Sequence, residues 1–225
     1  MTIHTYRRYY TRLITSSQQD TPLFCMIFHF CSVKQIHSLQ EKFVEMYSDM
    51  ASDYSKKINR PIENDWQMFA HYVFHNIGIA FTMFASGLAF AFGTICTLFY
   101  NGFAIGAVFG LMARTPVAIT FYSFVIAHGA FELTGIVLAG AGGLKMGWTL
   151  LNPGSYKRLD ALRRNGKPII HLMGTGFLFL FIAAIIEGFW SPITSLPYFV
   201  KFTVGVVLWV MVYAYMLLLG KNDEA

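Results

Sequence analysis

The chain has 225 residues, of which 55% are hydrophobic and only 13% charged. A soluble domain solvates its surface with roughly 25% charged residues, so much of this surface faces something other than water. The formal net charge of +5 is not spread as a nucleic-acid grip would need. Basic residues cluster beside apolar stretches, as juxtamembrane Lys and Arg do, and Glu132, Asp160 and Glu187 are the only acids between Asp65 and Asp223.

Residues 1–34 carry Arg7, Arg8 and Arg12 with no adequate apolar stretch behind them, so no cleavable signal peptide is expected. These arginines favour the cytoplasm, yet Pro22 to Val33 is too short to cross behind them, and the side of the N-terminus stays open. The cysteines, Cys25, Cys31 and Cys96, are odd in number and form no CxxC, which implies no disulfide framework. The spacing Cys25, His29, Cys31 matches no structural zinc pattern. Residues 35–75 predict an amphipathic helical region, with Ile36, Leu39, Phe43, Met46, Met50 and Tyr54 recurring every three or four positions.

The bundle proper is expected over residues 76–221. Asn76 to Tyr100 has no charge over about 25 residues, enough to cross ~30 Å of hydrocarbon. Pro116–Leu144, Ile169–Trp190 and Tyr198–Leu219 complete four full-length predicted spans. Between the first two, 102–114 is apolar but short, set off by an Asn101-Gly102 turn signal and closed at Arg114-Thr115-Pro116. The expected fold is therefore all-α: a polytopic transmembrane helix bundle of four spans plus one short or broken helix, with an extracytoplasmic amphipathic helix before it.

Loop 145–168 carries Lys145, Lys157, Arg158, Arg163, Arg164 and Lys167 against Asp160, so it is expected in the cytoplasm with the C-terminus. Ser191–Pro197 and residues 35–75 then lie outside.

Small residues recur every four positions in three rows: Ala85, Ala89, Gly93 and Thr97; Gly102, Gly106 and Gly110; Gly135, Ala139, Gly143 and Gly147. Positions i and i+4 share a helix face, and small residues there let backbones approach closely, which drives association in lipid. Internal packing of all three rows is expected, with a homodimer face as the competing reading.

His128 and Glu132 also share a face, inside a span where a carboxylate is expensive and normally has a partner. They read as a hydrogen-bonded docking pair, or as a proton or ion path, a metal site or an acid/base pair. HxxxE lacks the second histidine of a zincin, so no metal is expected. By depth, Glu187 lies ~6 Å and His128 ~16 Å from the outer span ends, which keeps them apart and assigns Glu187 to an outer-interface turn. HExxH, GxSxG, Walker A and a strand-borne GxGxxG are all absent, so neither an enzyme nor a cofactor is expected.

Several segments carry a family resemblance: FHNIGIAF (74–81), LFYNGFAIGAVFG (98–110), AHGAFELTGIVLAGAGGLKMGW (127–148), LNPGSYKRLDALRRNG (151–166) and AAIIEGFWSP (183–192). From about Met46 to Lys221 the chain resembles the stage II sporulation protein M family of bacterial and archaeal membrane proteins. Its HGxxEL motif falls on His128, Gly129, Glu132 and Leu133, and IEGFWSP carries Glu187; Asn76, Asn101 and Gly102 lie in the other motifs. Residues 1–40 do not resemble relatives, which usually carry a longer N-terminal region and an extra span, so a shortened or alternatively started chain is expected. The resemblance implies a plasma-membrane component of a cell-envelope complex. Its implied partners are the lipid bilayer and other envelope proteins, such as wall hydrolases or a MoxR-type ATPase system. A transporter or ion-conducting protein is the alternative.

Overall fold

The computed structural model describes residues 33–56 and 59–219, and every element among them is helical. The chain divides into two compact units, Met1–Glu41 and Lys42–Ala225. The first contributes only the opening turns of one helix to the described residues; the second holds everything below. Expectations for Arg7, Arg8 and Arg12, for Cys25, His29 and Cys31, for the stretch before Val33, for the Ile36 and Leu39 side chains and for the tail after Leu219 lie outside the described residues.

Helix α1 (Val33–Lys56) is the amphipathic helix the spacing predicts. Its apolar stripe of Phe43, Met46, Tyr47 and Met50 joins Met112, Val117, Phe121 and Phe124 in one cluster, with Tyr47 edge-on to Phe121 at 5.2 Å. Its polar side carries Glu45, Asp49 and Asp53 at four-residue steps. Partial burial first, then the charges of Glu45 and Asp53, push the Asp49 carboxyl above its ordinary pKa.

Five helices follow: α2 (Ile62–Ala85), α3 (Phe92–Met112), α4 (Ala118–Leu151), α5 (Arg158–Ile185) and α6 (Tyr198–Leu219). Among the described residues, four stretches are long and apolar enough to cross a bilayer: Phe92–Met112, Ala118–Leu151, Arg158–Trp190 and Tyr198–Leu218. The fold is an all-α polytopic membrane bundle with α4 at its centre. Helix α2 lies beside α4 and α5. Phe69 sits against Gly188 and Met83 near Gly143, so α2 runs the length of the α4–α5 pair.

The structure redraws the first predicted span. Asn76–Tyr100 is not one helix: it is cut by a 3-10 turn at Ser86–Leu88 and a reversal through Ala91, while Asn101 and Gly102 lie inside α3. The segment expected to be short, 102–114, is the second half of that full-length helix. No proline marks the break; packing and hydroxyls make it. Ser86 Oγ and Thr94 Oγ1 both donate to Met83 O, at 2.7 and 3.1 Å, taking up a carbonyl that a continued helix would have used. Phe90 and Ala91 adopt positive φ, 54° and 68°, which costs about 1–2 kcal/mol each and persists only where surroundings enforce it. Gly87, Gly143 and Gly147 enforce it. A Cβ on Gly147 would lie 2.0 Å from Ala91 N, and one on Gly87 2.2 Å from Gly143 O. Asn101 keeps to the helix by donating from Nδ2 to Thr97 O at 2.8 Å.

The three small-residue rows therefore part company. The α4 row is internal throughout: Gly135 meets Gly176 O and Leu180, Ala139 is buried, and Gly143 and Gly147 hold the 86–91 turn. Ala85, Ala89, Gly93 and Thr97 are divided between α2, the turn and α3 rather than sharing a face, although Gly93 still packs on Ser86. A Cβ added to Gly102, Gly106 or Gly110 would meet nothing within 4 Å among the described residues, so internal packing does not extend to this row.

Candidate functional site

Helices α4 and α5 run antiparallel. Gly135 meets Leu180, and seven residues further along each helix, toward the same end of the pair, stand His128 and Glu187. His128 Nε2 lies 3.7 Å from Glu132 Oε2 and 3.9 Å from Glu187 Oε1. The expectation that Glu187 stays apart is thus corrected. It assumed level helix ends, but they are not level. Ten residues of α4, ~15 Å of helix, precede His128, whereas α5 ends beside it in a π-turn, Ile186–Trp190. Ser191 N closes that turn on Ile186 O at 2.8 Å, and Pro192 has no N–H with which to continue it. The chain then climbs back to Tyr198, whose hydroxyl lies 3.0 Å from Thr120 Oγ1 on α4.

The turn also delivers Ser191, which spacing alone does not single out. Its Oγ is 3.1 Å from His128 Nδ1. Its carbonyl accepts from Lys201 Nζ on α6, a fully buried ammonium that also bonds the Tyr54 hydroxyl of α1. The Tyr54 ring lies 4.7 Å below the same ammonium. One continuous polar path therefore joins α1, α6, the π-turn and the histidine. On the other side of the turn, Arg60 pairs with Asp65 at 2.8 Å and donates to Gly188 O at 3.2 Å, and Asn59 Oδ1 accepts from Thr194 N and Oγ1.

Asn76 is 3% exposed, and its Nδ2 has no hydrogen-bond partner among the described residues. It lies one turn before Ala80 on α2, and Ala80 packs in the cluster that holds Ile136 of α4. Glu132 lies one turn before Ile136. Met83 stands beside Gly143, so Asn76, seven residues earlier on α2, stands near the level of Ile136, about one turn from Glu132. Gly129, beside His128, gives room to α6, with Trp209 3.9 Å from its Cβ position. Asn101 and Gly102 stand apart from the cluster on α3.

Fold and site together define a multi-pass helical membrane protein with a His–Glu–Glu group held between helices. The chain belongs to the Stage II sporulation protein M family, whose family model matches residues 22–192. That match starts upstream of Met46 and stops short of α6. An uncharacterised protein of Methanocaldococcus jannaschii is 23% identical over 168 residues, covering 74% of this chain and 86% of the relative. No solved structure matches the chain. Asn76, His128, Glu132, Glu187 and Ser191 all come from three of the segments that carry the sequence resemblance.

Proposed function

We propose that the protein is a non-enzymatic scaffold of a cell-envelope complex in the plasma membrane. The observation that carries this reading is the Gly102, Gly106, Gly110 row of α3. Four-residue glycine spacing is a helix-docking device in lipid, and no part of the described chain occupies it. The α4 row holds the fold rigid, leaving the α3 row for a partner helix. By the positive-inside rule, loop 145–168 faces the cytoplasm and α1 covers the outer end of the bundle. Partners implied by the family resemblance, wall hydrolases or a MoxR-type ATPase system, are the first to look for.

The test is Gly106→Leu, assayed by crosslinking in membranes and by native gel after mild solubilisation. The expected outcome is loss of a hetero-complex with the thermal stability of the protein itself unchanged. A wild-type protein that runs alone under both conditions overturns the scaffold reading; a homodimer lost in the variant transfers the row to self-association.

A second reading, ion movement through the bundle, is favoured by the buried His128–Glu132–Glu187 group, since ionisable residues within spans commonly mark such paths. Proteoliposomes that pass no more protons or cations than empty ones would eliminate it.

A further inference from the structure

We propose that His128, Glu132 and Glu187 form a binding site for one divalent transition-metal cation of the Zn²⁺ class. The proposal stands independently of the scaffold reading. One ligand atom from each residue falls within 4.8 Å of the other two. A tetrahedral ion with bonds of about 2.0–2.2 Å needs donors roughly 3.4 Å apart. The 3.7 and 3.9 Å separations are too long for hydrogen bonds and within a few tenths of an ångström of that edge.

The histidine is held as a ligand is held. In the tautomer that donates from Nδ1 to Ser191 Oγ, 3.1 Å away, Nε2 turns its lone pair toward the two carboxylates. With both carboxyls deprotonated, as a metal ligand set requires, three acceptors face one point and a single cation satisfies all of them. Among the described residues, the ion pairs formed by Glu132 and Glu187 both run to His128, while the Arg60 guanidinium is near enough to act on Glu187 electrostatically. Arg60 is engaged with Asp65 and Gly188 O, and Lys201 with Tyr54 and Ser191 O. A dication cancels two carboxylates and leaves the group neutral, which a low-dielectric interior favours.

Asn76, on the helix that packs against both α4 and the π-turn, is buried with its Nδ2 unpartnered among the described residues, about one turn along the bundle from Glu132, so the polar interior on this side of the group is not yet satisfied. The carboxylates keep 24% and 13% of their side-chain surface exposed, so the group is open on one side to an entering ion. One imidazole nitrogen with carboxylate oxygens suits Zn²⁺, Mn²⁺ or Fe²⁺ better than Ca²⁺ or Mg²⁺, which favour all-oxygen sets.

The experiment uses the full chain in detergent, stripped with a chelator, dialysed and reloaded with Zn²⁺ or Mn²⁺. Bound metal is then counted by mass spectrometry and apparent Tm is followed. The expected result is about one equivalent per chain and a rise in Tm of several degrees, absent with Ca²⁺. Glu187→Gln and Glu132→Gln keep shape and hydrogen-bonding capacity, so each should fold, give a monodisperse gel-filtration peak and lose both signals. Asp160→Asn, in the charged loop, should keep both. Binding below about 0.2 equivalent in wild type under every cation overturns the proposal. So does undiminished binding in the H128Q/E132Q/E187Q triple variant, which would locate the metal elsewhere.

Discussion

Replacing Gly147 by Ala adds one methyl group where two backbones meet. The new Cβ would stand 2.0 Å from Ala91 N, 2.5 Å from Ala91 Cα and 2.7 Å from Gly87 O. Ordinary contact needs ~3.4 Å or more, so the 86–91 turn must withdraw from α4 by over an ångström. All three obstructing atoms are backbone, so no side-chain rotation relieves the clash. The withdrawal also releases the packing that holds Phe90 and Ala91 at positive φ. Overpacking of a rigid site costs about 1–3 kcal/mol, and this site lies at the upper end. At roughly 2–4 °C per kcal/mol for a chain of this size, a loss of ~3 kcal/mol lowers Tm by ~6–12 °C. Gly106→Ala is the matched control. It adds the same methyl with nothing within 4 Å among the described residues and gains helix propensity, up to about 1 kcal/mol. The assay is loss of monodisperse fluorescence on gel filtration after stepped heating in detergent. If the two variants melt within a degree of each other, the claim that the α4 row locks the turn is refuted.

Ala91→Gly removes the φ 68° penalty of about 1–2 kcal/mol while giving up one buried methyl, so Tm should hold or rise by up to ~2–4 °C; a fall of more than ~4 °C would refute strain at this turn. Lys201→Met keeps the buried stem but leaves the Tyr54 hydroxyl and Ser191 O without their donor. The loss should be ~2 kcal/mol, read in the same heating assay, with Tyr54→Phe in the Lys201→Met background adding little. Single cysteines at Ser48, Ser155 and Ser195, in a background lacking Cys25, Cys31 and Cys96, test orientation. An impermeant maleimide should label positions 48 and 195 from outside and 155 only after lysis, and outside labelling of 155 would invert the proposed topology.

The class of this protein is legible in its composition. Low charge, apolar runs of about 20 residues and glycine at four-residue spacing are each local properties, dictated by the cost of exposing polar groups to lipid. The amphipathic α1 is legible for the same reason, because a 3.6-residue period needs only neighbouring residues to be seen. His128 and Glu132 could be paired from spacing, being one turn apart on one helix. What the sequence could not reveal was where an uncharged apolar run turns back. Residues 86–91 carry no proline, and the local hydroxyls and Gly87 make the reversal favourable only together with Gly143 and Gly147, more than fifty residues later. Nor could spacing bring Glu187, Ser191 and Lys201 to His128. That depended on how far each helix overshoots its neighbour, and helix overshoot is set by which side chains interlock along the pair. Tertiary packing alone decides such register, because lipid offers a helix no fixed depth to within a turn.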